Sequence, residues 1–442
     1  METIDYIICG DYILTMNEGL DFIINGAVAV KDKTIASVGH SDAIFKQYKA
    51  DEIIEGKDRV VLPGLINTHT HAAMVYFRGL SDDLPLKDWL EKHIWPAENK
   101  WLNPEFIYDA TGLACLEMLK AGITTYHDMY FFGDYAAKKT KEMGMRAVLG
   151  AGILDFPSAS AKTAEEYFEN AVGLINNWKG DDLITPSVAP HAIYTCGPET
   201  LKKAKALSEK HNVPVHIHLS ETNWEVGHIK AMYNKLPVEY LESLGFLDGS
   251  VTAAHCIWIE DKEIELLAKN KVGVSHCMES NLKLASGFAP VASMLMAGVK
   301  VTFGTDSAAS NNDLNILSEM STTSKVHKAL SNDPTVLDSR TSVLMATRWG
   351  AEVLGLGEKT GSIEKGKLAD IITINLRKPH LTPLYDIYSH LVYAARASDV
   401  EDVMVNGRMV IRKGKHISAD EDEILTKAFE WGGKIKASNS SA

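Results

Sequence analysis

The chain has 442 residues, 45% of them hydrophobic and 23% charged, enough for two or three average domains or for one large α/β barrel with an accessory unit. A formal net charge of −13 argues against binding along a nucleic-acid backbone, and no apolar run approaches the ~18 residues of a membrane span, so neither nucleic acid nor membrane is an expected partner. Five scattered cysteines (Cys9, Cys115, Cys196, Cys256, Cys277) without a Cys-x-x-Cys pair, behind a start (Met-Glu-Thr-Ile-Asp) lacking the basic and apolar parts of a signal peptide, point to reduced thiols and a cytoplasmic location.

Residues 1–58 read as short strands broken by turns: Tyr6–Cys9, Tyr12–Thr15, Gly26–Val30 and Thr34–Val38, with Asn-Glu-Gly, Asn-Gly and Lys-Asp-Lys between them. Over residues 59–358, short apolar strands alternate with helical spacing. The strands expected there are Val60–Ile66, Ile123–His127, Arg146–Ile153, Ile184–Pro190, Val213–His218, Val251–His255, Val272–His276 and Val299–Phe303. Amphipathic stretches such as Glu199–His211 and Ile259–Asn270 separate them. This α/β alternation predicts a (β/α)8 TIM-like barrel. A doubly wound sheet would be favoured by a glycine-rich phosphate fingerprint after the first strand, and none is present.

The short-strand texture returns over residues 359–442, in Leu368–Ile374 and Val400–Ile411. Neither end is apolar enough to make a comfortable domain alone. Both are therefore expected to pair into one small β-sandwich flanking the barrel. A C-terminal helix is expected over Asp420–Trp431, followed by a frayed tail from Ala437.

Chemistry collects at the expected strand ends. His69 and His71, two apart, share a face, and two imidazoles side by side suit a borderline-soft ion such as zinc. His191 follows the fourth strand, His216 and His218 lie on the fifth, His255 ends the sixth, His276 the seventh, and Thr305-Asp306 follows the eighth. Active sites of such barrels sit at the C-terminal strand ends. Packing alone does not account for so many imidazoles at one mouth, because each buried one needs a partner. His127 reads as an ordinary hydrogen-bonded strand-end histidine, and His216, a step deeper than His218, as a packed one.

From Pro63-Gly-Leu-Ile-Asn-Thr-His-Thr-His71 onward, with Val215-His-Ile-His218-Leu-Ser-Glu221-Thr, Ala253-Ala-His255-Cys and Gly304-Thr-Asp306-Ser-Ala-Ala-Ser, the chain resembles the amidohydrolase superfamily. Within it the resemblance is to the 5′-methylthioadenosine/S-adenosylhomocysteine deaminases and their triazine-hydrolase and guanine-deaminase relatives. It implies that His69, His71, His218 and Asp306 hold one divalent ion, zinc in the first place and ferrous iron in the second. No lysine ends the fourth strand (Ala189-Pro-His191), so a second, bridged ion is not expected. The resemblance makes Glu221 the general acid/base. It gives His255 the orientation of the attacking oxygen and lets Asp306 relay a proton to the leaving ammonia. It places Glu98 on ribose hydroxyls and His191 on the base or sugar, with Glu221 and Asp306 also touching substrate.

Trp89, Trp95 and Phe77 are expected to wall the pocket and Asn281 to line it. Where some of these deaminases carry an arginine for an amino-acid tail, the segment Asp155–Glu166 offers only Lys162, which favours a neutral 5′-substituent. The implied reaction is hydrolytic deamination of adenine in 5′-modified nucleosides, by a homodimer or homotetramer. Hydrolysis of another N-heterocycle (guanine or a triazine) and a non-catalytic barrel scaffold are the alternatives.

Overall fold

The computed structural model describes residues 1–439. Five strands open the chain: β1 (Glu2–Leu14), β2 (Phe22–Lys31), β3 (Thr34–His40), β4 (Tyr48–Ile54) and β5 (Arg59–Pro63). Eight follow: β6 (Leu65–Thr70), β7 (Ile123–Tyr130), β8 (Arg146–Ile153), β9 (Ile184–Pro190), β10 (Val215–Leu219), β11 (Val251–His255), β12 (Gly273–His276) and β13 (Val301–Phe303). Four more, β14 (Ile371–Asn375), β15 (Val400–Val405), β16 (Arg408–Arg412) and β17 (Lys415–His416), come after the barrel.

Strands β6 to β13 pair in chain order, all parallel, as one eight-stranded sheet. It curls until Thr70 bridges Asp306 and the Asp306 amide donates to the His69 carbonyl at 3.0 Å. This is the (β/α)8 barrel expected from the alternation of strands and helices. Its strands are buried along nearly their whole length, polar residues included, because helices cover the outside and side chains fill the inside. Capped helices lie between them. Asn103 accepts from the Phe106 amide ahead of Pro104, and Thr163 from the Glu166 amide, so each helix start satisfies an amide that would otherwise lack a partner.

The two ends of the chain form one nine-stranded sheet, ordered β17-β16-β15-β14-β5-β1-β2-β3, with β4 on the other part of the long β1. The reading of Tyr6–Cys9 and Tyr12–Thr15 as separate strands is corrected: Gly10 and Asp11 lie within β1, and Gly10 pairs with Gly26 across β2. The expected strand Val60–Ile66 is two strands. Arg59–Pro63 pairs with β1 and β14, and after Gly64 the chain continues in the barrel as β6. Gly64 is required there, since a Cβ would stand 2.0 Å from Thr124 Oγ1.

Nor is everything after residue 359 sheet. The helix Ile387–Tyr393 packs on the helices Ile316–Ser331 and Ser339–Ala346 of the barrel. The last helix runs from Glu421 to Asn439, beyond the expected Trp431, against Pro104–Lys120. Residues 440–442 of the expected frayed tail lie outside the described residues. No helix among the described residues is long and apolar enough to cross a membrane.

Sheet and barrel are riveted by a buried ion pair. Arg146, first residue of β8, donates through Nε to Asp370 Oδ2 at 2.7 Å and through Nη2 to Oδ1 at 3.1 Å. Asp370 also accepts from the Asn406 amide at 2.6 Å and from Thr360 Oγ1 at 3.1 Å. Asp370→Ala strands a buried guanidinium, and loss of one partner of such a pair costs about 3–5 kcal/mol. The expected result is a matching fall in unfolding free energy, seen as a lower midpoint in urea.

Candidate metal centre and active site

The histidines near the C-terminal strand ends converge. His69 lies on β6 and His71 just past it, His218 is on β10, and Asp306 is three residues past β13. Their ligating atoms all lie within 4.8 Å of one another, and among the described residues this is the one such group of three or more donors. Gly304 permits the approach: a Cβ there would stand 2.7 Å from the Cβ of His69 and 2.5 Å from Ser275 Oγ. Ser220, His255, Cys256 and Asp306 all have positive φ, between 47° and 72°. Non-glycine residues held there carry strain of order 1–3 kcal/mol each, and such residues cluster at functional sites.

The hydrogen bonds dictate which nitrogens are free. His71 Nδ1 meets the Met129 carbonyl at 2.6 Å and His218 Nδ1 the His191 carbonyl at 2.8 Å. A carbonyl only accepts, so each Nδ1 carries the proton and each Nε2 offers a lone pair. Those two Nε2 atoms face each other at 3.2 Å. His69 Nε2 is buried without a hydrogen-bond partner, 3.4 Å from Asp306 Oδ1, which stands 3.3 Å from His71 Nε2.

Lone pairs opposed at this range repel unless a cation lies between them. A proton can stand in for that cation: burial disfavours it, yet Asp306 and the Met129 carbonyl raise the pKa of His71 to about 9, and an ion takes that proton's place. Four donors about 2 Å from a tetrahedral ion stand roughly 3.3 Å apart. Three imidazoles and a carboxylate so spaced fit one divalent ion.

Asp306 is aimed by hydroxyls that the sequence reading missed. Ser280 Oγ and Ser310 Oγ donate to its Oδ2 at 2.6 and 2.8 Å, leaving Oδ1 to face the histidines. Asn67 also went unread; it ties the loop down through Thr305, accepting its amide at 3.1 Å and donating to its Oγ1 at 2.8 Å. Asp128, a third omission, accepts from the Ala72 amide at 2.8 Å and so fixes the turn after His71; burial raises it to about 6.

Beside the four donors stand Glu221 and His255, with Glu221 Oε2 3.8 Å from His255 Nε2. Asn281 Oδ1 lies 3.0 Å from His255 Nδ1. Asn281 therefore orients His255 and does not line the cavity. Burial raises the pKa of Glu221, favouring its acid form. Glu225, also missed, accepts the Ser220 and Glu221 amides at 3.0 and 2.9 Å. Its legible signal was Thr-x-x-Glu at a helix start, since Thr222 caps the Glu225 amide. Here the glutamate reaches back beyond the cap to the turn that aims Glu221.

A cavity of about 320 Å3 opens over this group. Trp89, Glu98, His191, Glu221 and His255 line it, as does Trp95. Glu98 accepts from Tyr130 Oη at 2.7 Å, and burial raises it to about 7. Burial and the neighbouring imidazoles lower His191 to about 3, so its ring is neutral. Among the described residues the lining holds no lysine or arginine.

Three expectations change here, and that for Lys162 does not. Phe77 is fully buried in the core against Phe106, not on the cavity wall. His127 does not end its strand, because β7 runs on to Tyr130, and its ring stacks on His216 inside the barrel. His276 turns to His327, with their Nε2 atoms 3.3 Å apart, and stays out of the cavity. Lys162 is exposed and donates to the Ser158 carbonyl at 3.1 Å.

Residues 60–410 match the amidohydrolase family model. A protein of Thermodesulfovibrio yellowstonii named 5-methylthioadenosine/S-adenosylhomocysteine deaminase is 54% identical over 98% of this chain and 99% of its own length. A 5′-deoxyadenosine deaminase of Methanosarcina acetivorans is 42% identical over 96% of both. The crystal structure of an adenosine deaminase from Xanthomonas campestris with bound zinc superposes with a TM-score of 0.97 at 38% identity, covering 99% of each chain.

Proposed function

We propose a reaction from one premise: this chain belongs to the amidohydrolase family. It is a hydrolase of the exocyclic C–N bond of a cyclic amidine, deaminating the adenine of 5′-modified nucleosides to the inosine analogue and ammonia. The observation that carries the reading is the joint presence, around one cavity, of a donor set of three histidines and one aspartate, the carboxyl group of Glu221 outside that set and the separate carboxyl group of Glu98. The full-length relatives named as deaminases of such nucleosides support it.

His69, His71, His218 and Asp306 would hold one divalent ion, zinc before ferrous iron. When bound, such an ion would bring the pKa of water towards neutrality. Glu221 takes a proton from the attacking water and delivers it to the ring nitrogen beside the carbon under attack. His255, its Nδ1 proton committed to Asn281, presents Nε2 to accept a hydrogen bond from the attacking oxygen. Asp306 Oδ1 receives the second proton and passes it to the departing amine. Water and the amino group are thus converted into a ring carbonyl and ammonia. Glu98 accepts the two ribose hydroxyls and His191 contacts the base or sugar.

The 5′-substituent that suits this cavity is neutral and apolar. Leu86, Leu90, Trp95 and Phe156 offer it contact, no lysine or arginine among the described residues lines this cavity, and Lys162 is engaged elsewhere. Ammonia release by the zinc-loaded protein tests both levels. We expect 5′-methylthioadenosine to exceed S-adenosylhomocysteine by at least about tenfold in kcat/KM, the equivalent of ~1.4 kcal/mol. Glu98→Ala should cost about 10- to 100-fold on the nucleoside, as loss of hydrogen bonds to a charged group does. Equal use of both substrates would overturn the neutral tail, and an unchanged Glu98→Ala the ribose contact. Silence on every adenosine, with guanine turned over, would discard the nucleoside.

A further inference from the structure

We infer that His216 is a positioning residue for the metal centre, deciding which nitrogen of His69 is free to bind the ion. The inference rests on His69 being a ligand and is independent of the substrate. His71 and His218 give their Nδ1 protons to backbone carbonyls, so their tautomers are settled by groups that can only accept. His69 differs. Its Nδ1 faces His216 Nε2 at 2.9 Å, edge on, with both rings fully buried.

An imidazole can donate or accept, so this contact has two arrangements. In one, His69 Nδ1 donates, His216 Nε2 accepts, and His69 Nε2 is a lone pair aimed at the shared centre. His216 then carries its proton on Nδ1, a buried atom without a partner. In the other, His216 Nε2 donates and a neutral His69 carries its proton on Nε2, 3.4 Å from Asp306 Oδ1. That second arrangement cannot bind an ion. His69 is therefore the one donor of the three histidines whose readiness depends on a side chain able to play both parts.

The surroundings hold His216 in place without choosing for it. Its ring stacks on His127, with centroids 3.8 Å apart and planes at 23°, and His127 Nε2 is anchored to Ser187 Oγ at 3.2 Å. No carboxylate contacts His216, although metal-binding histidines commonly give their second N–H to a carboxylate or carbonyl. The acceptor beneath His69 is thus a fixed but neutral ring.

Two substitutions separate positioning from packing. His216→Leu removes the acceptor, roughly keeps the volume, and removes the unpartnered Nδ1. His216→Gln retains an acceptor oxygen. Zinc affinity is read by competition with a chromophoric chelator, and the metal-free proteins are melted in parallel.

We expect His216→Leu to bind zinc about 10- to 100-fold more weakly, the usual effect of losing such a supporting partner. Its metal-free melting temperature should stay near that of the parent, and glutamine should recover most of the affinity. A folded His216→Leu protein with parental affinity would overturn the inference. So would a fall in melting temperature for both variants with affinity unchanged, the mark of packing alone. Should leucine prevent folding, His216→Met replaces it, and equal affinities for the methionine and glutamine variants overturn the inference. A parent protein that binds no zinc would overturn the ligand set itself and leave the role of His216 without an object.

Discussion

Glu221→Gln lowers kcat for nucleoside deamination by about 10²- to 10⁴-fold, the usual contribution of a positioned acid/base, while bound zinc stays at parental content. The two parts of this result come from different atoms. Glu221 is absent from the four-donor group, so removing its charge leaves the ion's ligands intact. Glutamine fills the same space and still accepts at Oε1, but it cannot take up a proton and return it. The backbone should also be undisturbed, since the amides of Ser220 and Glu221 are held by Glu225.

Burial raises the pKa of Glu221, so its acid form persists to higher pH than that of a surface glutamate. As pH rises through that value the acid form is lost. Because the ionised form starts the reaction by taking a proton from water, the acid-side limb, on which activity rises with pH, should lie above the ordinary carboxylate range and vanish in the glutamine variant. Steady-state rates across pH with metal analysis of the same samples make the test. Near-parental turnover would remove Glu221 from proton transfer.

Stripping the ion has the second large effect. With a chelator present, turnover is expected to fall to background and to return when zinc is restored, because water near neutrality is a poor nucleophile until an ion acidifies it. Stability should follow. The buried donor set brings two imidazole Nε2 atoms within 3.2 Å, a site that exists only in the folded chain. A ligand binding only the folded state at 1,000 times its Kd adds about 4 kcal/mol. Thermal unfolding with and without zinc should show a matching rise in midpoint. Activity that survives exhaustive chelation would overturn the metal-dependent reading.

What could be read from the sequence, and what could not, divides along physical lines. β8, β9 and β11 have the bounds expected of them because strands buried on both faces are rich in apolar and small residues. The run Val60–Ile66 carries the same signal, yet it spans two sheets. Periodicity reports burial and says nothing of which partner does the burying. Gly10-Asp11 looks like a turn by residue type, but cross-strand pairing with Gly26 overrides it.

His127 and His276 show the limit for side chains. Residue type and spacing put both at strand ends, and β12 does end at His276, but β7 runs three residues past His127, and the two rings turn to His216 and His327. The converging histidines were visible as types at strand ends. The role of Ser280 was not, since a serine 26 residues away carries no mark of the carboxylate it serves; Ser310, four residues on, stands inside the Asp306 motif, but residue type alone does not say which oxygen it meets.

The flanking sheet places β5 beside β14, with the entire barrel between them in the chain. Seen from the sheet, the barrel is an insertion between adjacent strands. Bringing β5 and β14 together across so long a stretch as unstructured chain carries a large entropic cost, whereas a formed barrel delivers both strands to the same side. Loop-closure entropy favours an order in which the barrel condenses before β5 and β14 pair. The inheritable unit is then the whole chain, and a gene fragment trimmed to the barrel would lose the clasp that keeps its two ends from fraying.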